Sequence, residues 1–151
     1  MSSENMLRSD KETENISALL KFSIEQHFSD LLSNKTKFKV IGDTTNLPDD
    51  VKQVVKDAEE ATKDFTDLKL YIAYNYGGQW DILNAVKSLV QKKYPLTIEN
   101  LNSYLSTTDD YPDLIVRTGG YKRLSNFMLW QSAYSELYFT KFRFRKCKLF
   151  N

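Results

Sequence analysis

The densest group of residues that could do chemistry is the segment RTGGYKRLS at residues 117–125. It brings Arg117, Arg123 and Ser125 together around a pair of glycines. An arginine donates two parallel hydrogen bonds to neighbouring phosphate oxygens, and glycines let backbone N–H groups approach an anion. The segment therefore indicates a phosphate or pyrophosphate site, although it matches neither a Walker loop nor a dinucleotide fingerprint. The structural alternative is a tight turn with solvated charges.

Two other features carry weaker signals. The turn NYGG at residues 75–78 could also present backbone amides to an anion. A strand-to-helix turn needs small residues anyway, so we favour that structural role. His27 is the only histidine, and its place beside Phe28 on a predicted helix favours packing or surface exposure over catalysis. No serine nucleophile with a partner base is indicated.

Apolar periodicity divides the chain into alternating helices and strands, which must position these segments. Helices are predicted at residues 16–34, 48–61, 81–90, 98–105 and 125–133, and strands at 37–41, 68–74, 114–116 and 137–139. Because parallel neighbours need a crossover, this alternation favours an α/β fold, with a parallel β-sheet flanked by helices. Ligands of such sheets bind beyond the carboxyl ends of the strands. The loops at 42–43, 75–78 and 117–120 are expected there.

The composition of the 151 residues describes one ordinary domain and excludes several classes of protein. The chain is 41% hydrophobic and carries 21 basic against 20 acidic residues, so disorder is excluded as the dominant state and no bulk attraction to nucleic acid is expected. The single cysteine, Cys147, cannot form an internal disulfide, which favours a reducing compartment. Residues 1–15 show no export signal, and no stretch approaches the roughly 20 apolar residues of a spanning helix.

Several stretches together resemble the signature of the cis-prenyltransferases, the undecaprenyl diphosphate synthase family. A closely spaced group consists of DLIVRTGG at 113–120, RLSNF at 123–127, LWQ at 129–131 and YSELYF at 134–139. Further family segments are similar to SSEN at 2–5, IGD at 41–43 and NYGGQWDI at 75–82, in the same order. The likeness runs from Ser2 to about Thr140.

The resemblance implies an enzyme that uses Mg2+ and adds isopentenyl diphosphate repeatedly, in cis geometry, to an allylic diphosphate such as farnesyl diphosphate. The product would be a long polyprenyl diphosphate, the precursor of the lipid carrier for cell-wall sugars. By the same resemblance, Arg117, Arg123 and Ser125 match the positions that hold the isopentenyl pyrophosphate. Glu136 matches an acidic residue near the metal and the dimer interface.

The resemblance also assigns roles near the start of the chain. Ser2 and Asn5 match polar positions linked to condensation and proton removal, and Arg8 matches a basic position in the same segment. The family begins before this Met1, with a strand and a Met-Asp-Gly-Asn loop whose aspartate supports Mg2+. We therefore expect residues 1–140 to form a partial domain whose sheet is incomplete at the N-terminus.

The sequence departs from the family at other positions as well. Gln79 stands at a common arginine position and Tyr121 at a common glutamate position. After Thr140 the family continues with Trp-Pro-Asp-Phe and a terminal helix, whereas residues 141–151 form a divergent basic tail that we expect to be disordered.

Three interpretations stay open for the function. In the first, the chain belongs to an active prenyltransferase, and either another polypeptide supplies the missing strand and Met-Asp-Gly-Asn loop or the chain start is misassigned. In the second, the chain is a non-catalytic binding subunit. In the third, it is an inactive remnant of a disrupted gene. The first two imply a homodimer or a partner polypeptide. We expect a cytoplasmic location, and the resemblance allows peripheral contact with the inner membrane through the lipid product. A chain that lacks the family's first strand should be a marginal monomer.

Overall fold

The computed structural model describes residues 10–108 and 110–142, which form two compact units divided between Tyr76 and Gly77. The predicted site residues Ser2, Asn5 and Arg8 lie outside the described residues, as does most of the basic tail. None of the helices in the described part of the chain combines the length and apolar character that a bilayer crossing requires.

The first unit is built from two helices and two parallel strands. Its elements are α1 (Asp10–Ser33), β1 (Thr36–Ile41), α2 (Asp49–Thr62) and β2 (Leu68–Ala73). In the strand pair, Thr36 lies opposite Leu68 and Ile41 lies opposite Ala73. Helix α2 is the crossover between the strands, as expected for a parallel pair.

Apolar side chains from α1, β1, α2 and the turns beside the strands meet in one core. Its buried members are Leu20, Ile24, Leu31, Phe38, Val40, Leu47, Val51, Val55, Ala58 and Tyr74. Burying each large side chain of this kind contributes about 1.5–3 kcal/mol. The spacing of three and four residues that predicted α1 and α2 is therefore the spacing of the faces that pack in this core.

Side chains of α2 bind backbone N–H groups of β1. The N–H of Phe38 donates to Thr62 Oγ1 at 3.0 Å, and the N–H of Val40 donates to Glu59 Oε1 at 2.8 Å. The Thr62 hydroxyl in turn donates to the carbonyl oxygen of Ala58 at 2.8 Å. Buried backbone donors need a partner, and here the helix supplies it.

The second unit also contains two helices and two parallel strands. Its elements are α3 (Gly78–Gln91), α4 (Ile98–Tyr104), β3 (Leu114–Arg117) and β4 (Glu136–Phe139). Leu114 lies opposite Glu136 and Arg117 lies opposite Phe139. Parallel strand pairs flanked by helices confirm the predicted α/β class.

The helix predicted at residues 125–133 is wrong, because the structure has a series of turns there. Ser125, Asn126 and Met128 have φ angles of 48°, 61° and 46°, in the left-handed region. Left-handed residues cannot continue a right-handed helix. The apolar spacing that suggested a helix here instead belongs to a folded loop.

A buried carboxylate holds the second unit together. Asp81, in the first turn of α3, is 1% exposed. Its Oδ1 accepts hydrogen bonds from the backbone N–H and the hydroxyl of Ser106, at 2.9 and 2.7 Å, and its Oδ2 accepts one from Gln131 Nε2 at 3.0 Å. Gln131 also donates to Thr107 Oγ1 at 3.3 Å. These bonds join α3, the segment after α4 and the loop between β3 and β4.

Candidate anion-binding site

The structure brings Arg117, Arg123 and Ser125 together at the carboxyl end of β3. Arg117 is the last residue of the strand and is half-buried. Its Nη1 donates to the backbone carbonyl oxygen of Arg123 and, at 2.8 Å, to the hydroxyl oxygen of Ser125. Because the Ser125 oxygen accepts from Arg117, its own O–H remains available as a donor to a ligand.

The glycine pair of this loop makes a left-handed turn. Gly119 and Gly120 have φ angles of 93° and 87°, which glycine adopts at little cost. Their N–H groups donate to the carbonyl oxygens of Phe142 and Thr140, at 3.1 and 2.9 Å. The expectation that these two amides would face an anion is therefore wrong, because the chain itself uses them. They fasten the loop to the segment that follows β4.

The charged residues in and beside this loop in the sequence are all basic. Residues 114–135 include Arg117, Lys122 and Arg123 and contain no acidic residue. Arg123 is exposed, and within the described part of the chain no hydrogen-bond acceptor lies on its guanidinium. A guanidinium group that has no carboxylate partner and no bound acceptor can use both its charge and its N–H groups to bind an anion.

A cleft of about 300 Å³ lies beside the arginines. Its lining residues are Ile115, Val116, Arg117, Thr118, Arg123, Leu124 and Phe127. The cleft thus combines an apolar wall with a cationic edge. This pairing suits a small ligand that has a charged group at one end and a hydrocarbon group at the other.

The ring of Tyr121 lies near both arginine side chains. The Arg123 guanidinium carbon is 4.9 Å from the ring centroid, and that of Arg117 is 5.8 Å from it. Both distances are within the range of cation–π contacts. Sequence reasoning missed this role, since nothing in the order of residue types indicates where a ring will stack.

Asn126 connects the anion-binding loop to the start of α3. Its backbone carbonyl oxygen accepts from the N–H of Gly78 at 2.6 Å, and its side-chain oxygen accepts from the N–H of Gln79 at 3.0 Å. A Cβ atom on Gly78 would lie 2.9 Å from the backbone nitrogen of Leu129. These contacts support the structural role that we favoured for the turn at 75–78.

Glu136 does not join the arginines. It is exposed, at the first position of β4, opposite Leu114, whereas Arg117 lies at the other end of the strand pair. Three residue steps along the strand separate the two positions by about 10 Å. The described residues contain no group of three His, Cys, Asp or Glu side chains placed to hold a metal ion. The role of Glu136 near a metal ion stays a prediction.

Two remaining polar residues have structural roles in the first unit. His27 is exposed on α1, with its Nδ1 3.1 Å from Asp30 Oδ2, as expected for a surface histidine. Tyr74 is buried after β2, and burial together with the nearby Asp43 carboxylate raises the pKa of its phenol. Neither residue belongs to the anion-binding loop.

Comparison with known proteins shows the family to which this fold and its cationic loop belong. The family model described as "Putative undecaprenyl diphosphate synthase" matches residues 1–149. The chain therefore belongs to the undecaprenyl diphosphate synthase family, the cis-prenyltransferases, which confirms the resemblance in the sequence.

Individual relatives agree with this assignment. The chain is 42% identical to a ditrans,polycis-undecaprenyl-diphosphate synthase, (2E,6E)-farnesyl-diphosphate specific, of Buchnera aphidicola, covering 92% of this chain and 59% of the relative. It is also 42% identical to an isoprenyl transferase of Thermotoga maritima, covering 93% and 63%. The chain thus spans about three fifths of the length of these curated relatives.

A solved structure gives the same result for the fold. The crystal structure of a probable undecaprenyl diphosphate synthase from Campylobacter jejuni matches with a TM-score of 0.89 at 35% identity. The match covers 97% of this chain and 70% of that one.

Proposed function

We propose that this chain binds isopentenyl diphosphate and takes part in its cis condensation with an allylic diphosphate such as farnesyl diphosphate, giving a polyprenyl diphosphate. The convergence of Arg117, Arg123 and Ser125 beside a partly apolar cleft is the observation that carries the proposal. The names of the relatives from Buchnera aphidicola and Thermotoga maritima support it.

The residues of the loop suit this task by their chemistry. Arg123 and the Ser125 hydroxyl bind the diphosphate of isopentenyl diphosphate, while Arg117 holds the loop in place and adds positive charge. The apolar wall of the cleft takes the isopentenyl carbons. In the reaction the diphosphate group leaves the allylic substrate, the isopentenyl double bond attacks the resulting allylic carbocation, and the new carbocation loses a proton to form a double bond. The chain contributes by neutralising charge and by orienting one substrate.

Mg2+ is the cofactor that we propose, with Glu136 as a residue near it. Magnesium is usually bound through one or two carboxylates together with substrate phosphates, so a single carboxylate is a minimal contribution. The ion would supply positive charge to the diphosphate that leaves the allylic substrate.

We propose roles for Ser2, Asn5 and Arg8 in condensation and proton removal, as the sequence resemblance implies. A homodimer, or a partner polypeptide that supplies the allylic diphosphate site, completes the proposed assembly. The proposed location is the cytoplasm, with peripheral membrane contact through the lipid product.

The test is an incubation of the purified chain with radiolabelled isopentenyl diphosphate, farnesyl diphosphate and Mg2+, followed by extraction of lipid product. Calorimetry on the same preparation measures binding of isopentenyl diphosphate. Labelled polyprenyl product supports the whole proposal. Binding without product supports the site and contradicts catalysis by this chain alone. Absence of both contradicts the proposal.

A further inference from the structure

Tyr121 is an exposed aromatic residue in the middle of the cationic loop. Its side chain is 61% exposed, yet its ring contacts both arginine side chains of the site, Arg123 at 4.9 Å and Arg117 at 5.8 Å. An aromatic ring carries negative charge density on its face, which attracts a guanidinium group. The ring therefore offsets part of the repulsion between two like charges in one loop.

The two arginines differ in the contacts that their guanidinium groups make besides the Tyr121 ring. Arg117 is fixed by its hydrogen bonds to the Arg123 carbonyl oxygen and the Ser125 hydroxyl. Arg123 has no hydrogen-bond acceptor among residues 10–108 and 110–142, so the Tyr121 ring is the charge-stabilising contact that its guanidinium makes there. A long flexible side chain loses rotamer freedom when it binds a ligand, and a contact that restricts it beforehand lowers this cost.

We propose that Tyr121 is a positioning residue that holds Arg123 ready for a diphosphate. The Tyr121 ring uses no N–H donor through a hydrogen bond in this contact, so the guanidinium N–H groups stay available for phosphate oxygens. Tyr121 itself makes no bond to the anion and acts through Arg123. This inference rests on the proposed function, because a diphosphate is the anion that the loop is proposed to bind.

The experiment is calorimetric titration of the full chain with inorganic pyrophosphate, using Tyr121→Phe and Tyr121→Leu. The phenylalanine variant keeps the ring and should bind with the Kd of the unmodified chain. The leucine variant loses the ring and should raise Kd about fivefold. Since Tyr121 is exposed, both variants should unfold at the temperature of the unmodified chain, which a thermal scan checks.

A double-substitution cycle separates positioning from a general loop effect. If Tyr121 acts through Arg123, then Tyr121→Leu should have no effect on pyrophosphate binding in an Arg123→Ala background. Proton NMR adds a direct signature, since the Arg123 side-chain protons should be shifted by the ring in the unmodified chain and in Tyr121→Phe, and unshifted in Tyr121→Leu.

The outcomes distinguish this inference from the function on which it rests. Two results overturn the positioning role and leave the proposed function intact. One is normal pyrophosphate binding by Tyr121→Leu. The other is that Tyr121→Leu raises Kd by the same factor in the Arg123→Ala background as in the unmodified chain. Absence of pyrophosphate binding by the unmodified chain overturns the proposed function, and the positioning role with it.

Discussion

Arg117 and Arg123 stand six residues apart in one loop and do different work. Arg117 is half-buried, and its Nη1 stabilises the loop by donating hydrogen bonds to the Arg123 carbonyl oxygen and the Ser125 hydroxyl oxygen. Arg123 is exposed, and its guanidinium has no hydrogen-bond acceptor among the described residues. Substitution of Arg117 should therefore disturb the loop as well as the anion site, whereas substitution of Arg123 tests the site alone.

Arg123→Ala should weaken isopentenyl diphosphate binding by about 2 kcal/mol, roughly a 30-fold rise in Kd, because it removes charged hydrogen bonds. Calorimetry measures the change. Lys122→Ala is the matched control, since it removes the same charge from the neighbouring position without removing the fork of donors. Equal losses in both variants would mean that the loop attracts anions only by its net charge.

Tyr74 gives a pH dependence that can be assigned to one group. Its pKa is raised by burial and by Asp43, so above about pH 10 the unfolded chain ionises this phenol while the folded chain keeps it neutral. The free energy of unfolding should therefore be unaffected by this group below that pH and should fall as the pH rises above it. Urea unfolding at several alkaline pH values measures the slope. Tyr74→Phe should have a smaller slope, and an unchanged slope would contradict the assignment.

At the scale of elements, the sequence predicted best where local periodicity and burial agree. The β1 strand, predicted at 37–41, is observed at Thr36–Ile41, and the strand predicted at 68–74 is observed at Leu68–Ala73. The first helix starts earlier than its apolar stripe, at Asp10, because polar residues can extend a helix that is packed elsewhere.

The loop at 125–133 shows why other parts could not be predicted. Its apolar spacing suits a helix, but Asn126 adopts a left-handed conformation in which its two oxygens bind the first N–H groups of α3. Those donors lie almost fifty residues away in the sequence, so a pattern of neighbouring residue types could not predict that Asn126 binds them. The positions of Arg117, Arg123 and Ser125 were predictable because they share one short segment; the Tyr121 stacking was not.

Asn126→Ala should destabilise the chain by about 2 kcal/mol, from the loss of a helix-capping acceptor and the cost of a left-handed alanine. Chemical unfolding measures this difference. Asn126→Asp is the control, because aspartate keeps an acceptor for the Gln79 N–H, tolerates the conformation and suits the positive end of α3. If the alanine and aspartate variants unfold alike, the capping role is contradicted.

At the scale of the whole molecule, apolar side chains of the strands remain uncovered. Between 40% and 57% of each of these side chains is exposed: Leu68, Leu70, Leu114, Val116, Leu137 and Tyr138. Side chains of parallel strands are normally covered on both faces, and exposed apolar patches mark interaction surfaces. The distribution supports the proposed assembly with a second copy or another polypeptide.

We therefore expect the chain to associate with itself at increasing concentration. Sedimentation velocity at several concentrations should show the monomer boundary give way to a faster species. Lys122→Ala, on an exposed loop position, should sediment like the unmodified chain. A single monomeric species at every concentration would contradict this expectation.

The bonds from β1 to α2 also affect how fast the molecule exchanges hydrogen with solvent. The amide hydrogens of Phe38 and Val40 are held by the Thr62 hydroxyl and the Glu59 carboxylate, not by another strand. Their exchange with deuterium is therefore controlled by the movement of α2 away from β1, while exchange at the amides shared with β2 requires the strands themselves to separate. Two amides in the middle of a strand thus report on the opening of a helix.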